Sequence, residues 1–338
     1  MFVIKKFLSF ILVGIIFLLL IPIQPNETLS KIAAPITQQI DQLVEGKTNE
    51  TTLKTPKSQN FAIRNIQMNM NRNEVEQKLG QPESEIGNEY GTKWEVYHQN
   101  FNNFVMVSYI DNKVHGLYTN QNMITSKSGV KYGTPQKTVR KELGQPIKGI
   151  QKGRTIYEND NDEYDIFDKD GIYTTVFYDQ HENNQLTGMM QISHQMENRL
   201  NSQYAAPSDY LKESFEKEDY YLLNAERVQK GLKPLEYSNA LAQTARKHST
   251  DMAEHQFFDH TNLKGESPFD RMEKDGHQYR TAAENLAYGQ TSAIFAHHGL
   301  MNSSGHRKNI LNKNVQTIGI GVDFNDQRQP YWTENYIG

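Results

Sequence analysis

"MNSSGHRKNIL", residues 301 to 311, is the stretch on which the reading of this chain turns. Ser303, Ser304 and Gly305 break a helix-favouring run, and an ionisable ring, His306, follows at once. Arg307 and Lys308 come next, then Ile310 and Leu311 return to core chemistry. A histidine held between a small-residue break and an apolar anchor either sits at a helix edge or points into a site. The serines read as an N-cap for the helix that carries Ile310. They do not read as nucleophiles, because there is no G-x-S-x-G elbow. Arg307 reads as a structural ion-pair partner.

The sequence around this stretch, residues 208–338, holds seven of the eleven histidines. Four short runs there set an ionisable residue among apolar neighbours: "FFDH" with His260, "AAENLAYG" with Glu284, "SSGHRKNIL" with His306 and "YWTENY" with Glu334. Glu284 lies between Ala-Ala and Asn-Leu-Ala, so on a helix it is half buried, and a buried carboxylate needs a partner. Two histidines and one or two glutamates in a cleft support two chemistries. The imidazoles can bind a divalent metal while the carboxylates orient them. Alternatively, a Glu–His pair, with Glu284 and His306 the candidate catalytic residues, can act as a general base.

The other histidines read as packing or surface. Leu241, Ala245, His248 and Met252 form one buried stripe on a helix that Ser238 caps. His255 and His260 are five apart and share no helical face, and H-E-x-x-H is absent. His297 and His298 read as exposed helix, and His277 as loop. Leu222, Leu223, Ala225 and Val228 suggest a helix that stops before Gly231. "TIGIGVDF" and "PYWTENYIG" read as two strands around a loop from Asn325 to Pro330.

Towards the N-terminus, "NMNRNEVEQKLGQP" and "GTPQKTVRKELGQP" align without a gap at an offset of 64 residues, ending at Pro82 and Pro146. Each reads as a short helix stopped by Gly-x-Pro. Asn71 with Glu74 makes a capping box in the first; Thr134 as N-cap with Pro135 at the first helical position starts the second. Alternating strands follow each helix, with turns at Asp111-Asn112 and Asn183-Asn184. Residues 61–195 therefore read as two copies of a helix-plus-meander unit. His98, His115, His181 and His194 have no partner there at useful spacing, so this region reads as scaffold or binding surface.

The chain has 338 residues, a net charge of −4 and no cysteine. Disulfides, thiolate metal sites and a cysteine nucleophile are excluded, and no basic stripe points to nucleic acid. Lys5 and Lys6 precede an uncharged run from Phe7 to Ile23, ~25 Å long as a helix. Residues 1–25 read as a membrane anchor or a cleaved signal, with everything after Ile23 outside the cell. Residues 26–60 read as a polar linker with one short amphipathic helix through Ile36, Ile40, Leu43 and Val44.

The ordered series "FFDH … AENLAYG … MNSSGHRKNIL … IGIGV … YWTEN" resembles bacterial members of the CAP superfamily, also called SCP-like, over about residues 215 to 338. The repeat region is similar to the CAP-associated N-terminal domain found with that module in Gram-positive bacteria. The resemblance implies an α+β chain whose C-terminal domain, 208–338, is an α-β-α sandwich. It implies a cleft lined by His260, Glu284 and His306, with Glu334 standing in for the family's second acid. His260 and His306 are then the residues to hold zinc or another divalent transition metal, and Gly305 lets the chain turn so that His306 faces the cleft. The function expected is binding at the cell surface, of a cell-wall component, an extracellular protein, or a small ligand or cation in the cleft. A metal-assisted hydrolase is the alternative.

Overall fold

The computed structural model describes residues 52–159 and 161–338. The expected anchor, the short helix through Ile36 to Val44 and most of the linker lie outside the described residues. Among the described residues no helix is long and apolar enough to cross a membrane. Residues from Thr51 onward form one compact unit.

The first half is mostly β. Strands β1 (Phe61–Ile63), β2 (Ser84–Gly87), β3 (Lys93–Gln99), β4 (Asn102–Ile110), β5 (Lys113–Thr119), β6 (Ile124–Ser126), β7 (Gly149–Lys152), β8 (Thr155–Glu158), β9 (Tyr164–Lys169), β10 (Ile172–Asp179) and β11 (Gln185–Ser193) accompany three short helices. These are α1 (Arg72–Leu79), α2 (Gln136–Leu143) and α3 (His194–Glu197). Seven strands make one antiparallel sheet in the order β2-β3-β4-β5-β11-β10-β9. Asp111 and Asn112 both take positive φ, 49° and 59°, as a two-residue hairpin turn requires.

Helix α1 starts at Asn71 in a capping box with Glu74, and Gly80 ends it at φ 81°. Helix α2 starts one residue later than expected: Pro135 is the N-cap, with extended backbone, and the helix begins at Gln136. The Thr134 hydroxyl instead accepts from the Lys131 backbone N–H at 3.0 Å, fixing the preceding turn.

The second half holds α4 (Asp209–Gln229), β12 (Glu236–Tyr237), α5 (Asn239–His255), α6 (Pro268–Lys274), β13 (Ala282–Tyr288), α7 (Ala293–Asn302), α8 (Ser304–Ile310), β14 (Thr317–Phe324) and β15 (Pro330–Ile337). Four strands run in the order β12-β14-β15-β13, with β13 at an edge. Residues paired across antiparallel strands share a face. Gly319 and Gly321, with Thr333 and Asn335 opposite them and Glu284 next along, therefore lie on one face. Added Cβ atoms on both glycines would run into the backbone of α5, so α5 covers that face. Ile318, Ile320, Val322, Trp332 and Tyr336 lie on the other face and pack with Leu211, Phe215, Leu222 and Leu223 of α4 and with α7. Helices thus lie on both faces of the sheet, the α-β-α sandwich.

One apolar cluster crosses the boundary between the halves, joining Trp94, Phe104, Tyr118 and Phe177 to Phe215, Ile294 and Trp332. His297 and His298, expected on an exposed helix face, are 0% and 5% exposed. The His298 ring stacks on Phe177 at 4.0 Å and meets the Tyr118 hydroxyl at 2.9 Å. Helix α7 is covered by the first-half sheet, which its own sequence does not announce.

Candidate functional site

The site forms where the edge strand β13 meets the loop after α5 and the start of α8. "AAENLAYG" is a strand and not a helix, so alternate residues face opposite ways. Glu284 faces the α5 side. Its side chain is almost wholly buried, and both oxygens are used. Oε1 lies 2.9 Å from Nδ1 of His260. Oε2 accepts from Nη2 of Arg271 on α6 at 2.6 Å. Nη1 of Arg271 also donates to the carbonyls of His260, at 2.7 Å, and Glu266, at 3.0 Å. One guanidinium therefore fixes both the acid and the loop that carries the histidine. A carboxylate opposite Nδ1 selects the tautomer with hydrogen there, which leaves the Nε2 lone pair free on a half-exposed ring. The hydrogen bond that His260 donates to Glu284 raises the His260 pKa above the usual histidine range, against the opposing effect of partial burial.

His306 approaches from α8. Its backbone carbonyl accepts from Nδ2 of Asn285 at 3.2 Å. Asn309, one turn on, donates to Oδ1 of Asn285 at 2.9 Å and to the carbonyl of Glu284 at 3.3 Å. These bonds pin α8 to the edge strand. Partial burial, and then the nearby His260, lower the His306 pKa. A neutral ring on His306 beside a more basic His260 follows from those two environments. Gly305 plays a smaller part than expected: it is helical, and an added Cβ there meets nothing within 4 Å. The chain turns at Ser303, whose extended backbone (φ −84°, ψ 119°) separates α7 from α8 without a side-chain cap.

Glu334 does not join this group. It pairs with Asn285 in the β13–β15 register, so it faces α4, on the side of the sheet away from Glu284. It is completely buried, and it accepts from Asn285 at 2.9 Å and from the Tyr336 hydroxyl. Burial pushes it and the neighbouring Asp219 above the usual carboxylate range. It supports the site from behind through Asn285, whose amide reaches both Glu334 and the His306 carbonyl.

Among the described residues no group of three or more His, Cys, Asp or Glu side chains is placed to hold a metal ion. The two imidazoles are near enough for His260 to lower the His306 pKa. The Glu284–His260 arrangement matches the usual carboxylate support behind a metal-binding histidine. His248 is buried on the α5 stripe as expected, with Nε2 at 2.9 Å from the carbonyl of Asp259. His277 Nε2 lies 2.9 Å from the Thr244 hydroxyl. Arg307 binds Asp179 at 2.9 Å and Glu182 at 3.3 Å in the first half. Arg271, Asn285 and Asn309 escaped the sequence reading. Asn285 and Asn309 lie inside quoted motifs, but Arg271 is on a polar helix and has no spacing signal.

The family described as the cysteine-rich secretory protein family, CAP, matches residues 220–336, and the CAP-associated N-terminal family matches residues 68–203. The chain is 41% identical over 140 residues to the uncharacterized protein YkwD of Bacillus subtilis, covering 41% of this chain and 52% of that protein. The match thus spans about half of that relative's length. It is 29% identical over 291 residues to the uncharacterized membrane protein YlbC of the same species, covering 80% and 82%. In fold it is similar to an extracellular protein containing a SCP domain from Bacillus anthracis, with a TM-score of 0.69, 21% identity and coverage of 85% and 99%. Matched in both halves and in the sandwich itself, the chain belongs to the CAP, or cysteine-rich secretory protein, family, with a CAP-associated N-terminal region before its CAP region.

Proposed function

We propose that this chain is a binding module of the bacterial cell surface, and that its His260–His306 cleft takes a divalent transition metal or a small ligand. The observation that carries the cleft is the clamp on His260. Glu284 holds Nδ1, Arg271 holds Glu284, and the ring that carries Nε2 is half exposed. A metal bound there would supply a Lewis-acid centre, with the two imidazoles as its protein ligands. Catalytic zinc ordinarily has three protein ligands and an open position, so two nitrogens favour binding over hydrolysis. An outside location is supported by the uncharged run at residues 7–23 and by relatives described as a membrane protein and an extracellular protein. The apolar run would tether the folded part to the membrane, and the partner would be a cell-wall component or an extracellular protein.

Calorimetric titration with copper and zinc tests the cleft. Copper is expected to bind at least as tightly as zinc. His260→Ala and His306→Ala should each abolish most of the binding, and Glu284→Gln should cost ~10–100-fold. Binding should fail as pH drops through the raised His260 pKa, because a ligating ring must be neutral. Binding that persists in the double histidine variant rejects the cleft. Hydrolysis of a peptide that vanishes in His306→Ala would favour the hydrolase instead.

A further inference from the structure

A cavity of about 370 Å³ opens between α5, α6 and the loop that carries Asn262 and Lys264. None of His260, Glu284 or His306 lines it. Two deeply buried groups on its wall lack partners: Nδ1 of His248, a residue 1% exposed, and Nε of Arg271, a residue 7% exposed. The Asp259 carbonyl at Nε2 of His248 can only accept, so Nε2 carries the hydrogen. Burial keeps the ring neutral, and Nδ1 then offers a lone pair. Nε of Arg271 is a donor only. The wall therefore holds one unmatched acceptor, on α5, and one unmatched donor, on α6.

The charges at the mouth repeat that polarity. Lys247 is matched by Asp275 at 2.8 Å, and Lys274 by Glu266 at 2.6 Å. Glu254, on α5, and Lys264, in the loop, have no ion pair among the described residues. Asp251, also on α5 and on the lining, meets only the His255 ring at 3.1 Å, so the α5 side is acidic, and Lys264 is the ammonium without an ion pair among the described residues. A lone cation or a lone anion would leave half of this set unanswered.

We propose that this cavity binds a zwitterion, an amino acid or short peptide, with its ammonium towards Glu254 and His248 and its carboxylate towards Lys264 and Arg271. The volume lies at the lower end of ligand pockets, ~300–1,000 Å³, which suits a molecule of that size. The site shares Arg271 with the support of the histidine cleft but does not depend on metal binding there.

Calorimetric titration of the full chain with alanyl-alanine, its N-acetyl form and its C-terminal amide tests this. The free dipeptide should bind, and each blocked form should bind about fivefold or more weakly. Glu254→Gln should weaken the free dipeptide by about fivefold and leave the N-acetyl form unaffected, and Lys264→Gln should do the same with respect to the amide. Both side chains are exposed, so the melting temperature should not move. The His248 ring nitrogen signal should shift as the dipeptide is added, and binding should survive His260→Ala with His306→Ala. No binding at millimolar dipeptide, equal binding of the blocked forms, or unchanged binding in both Gln variants overturns the proposal.

Discussion

Arg271 supplies the partner that Glu284 needs where it sits. The Glu284 side chain is 1% exposed, and its ion-pair partners are Arg271 and the ring of His260. An uncompensated buried charge costs far more than a missing surface pair. Arg271→Met is expected to destabilise the protein by ~3–5 kcal/mol in urea denaturation. Adding Glu284→Leu should recover most of that loss, because both halves of the pair are then gone. A loss below ~1 kcal/mol for Arg271→Met would mean that the clamp is incidental. Neither measurement depends on a metal or a ligand.

Elements are placed here by close approach as much as by apolar area. β14 is "TIGIGVDF", with apolar residues facing α4 and glycines facing α5. The alternation is that of a strand buried on both sides, with the missing side chains on the side where a helix backbone comes nearest. Arg246 of α5 then reaches past the sheet edge to Glu216 of α4, which also accepts from the Val322 backbone N–H at 3.0 Å. Gly321→Ala would place a methyl group in the α5 backbone at Arg246. It is expected to lower stability by ~1–3 kcal/mol, read as a drop in the urea midpoint at unchanged slope. Gly305→Ala is the control: it meets open space, and Ala is the better helix former. Equal effects of the two changes would refute the close packing of α5.

At the scale of the molecule the two halves are joined by polar contacts as well as by the shared cluster. Nδ2 of Asn120 donates to the Leu222 carbonyl at 2.9 Å, and Nε2 of Gln121 donates to that of Ala225 at 2.8 Å. Gly188 in β11 leaves room for His298, since a Cβ there would sit 2.6 Å from the ring. Close by, Glu226 is 4% exposed, and burial pushes its pKa up to about 7 against the pull of Lys230. A carboxyl whose folded pKa is raised stabilises the fold below its unfolded value, and that contribution is lost as pH rises towards the folded value. Glu226→Gln should therefore match the parent near pH 4.5 and exceed it by up to ~3 kcal/mol above pH 7. Urea denaturation at the two pH values reads this difference; a gap that does not change with pH would show that Glu226 does not titrate across that window.

The sequence by itself determined the local elements and the order of the site motifs. The stop before Gly231, the Ser238 cap, the Asn71 capping box and the hairpin turns are set by neighbours a few residues away, and the chain adopts them. Glu284's need for a buried partner was also legible, because an acid among alanines and leucine has few other places to go. Only the tertiary structure decided which partner. Arg271 reaches Glu284 across thirteen residues through a loop and a turn, and no periodicity encodes that. Only the β13–β15 register turned Glu334 to the far side of the sheet, since a one-residue choice of pairing reverses a face. Only the meeting of the two halves buried His298 against Phe177 and Tyr118, because a helix sequence shows an apolar face and not what will cover the rest of it.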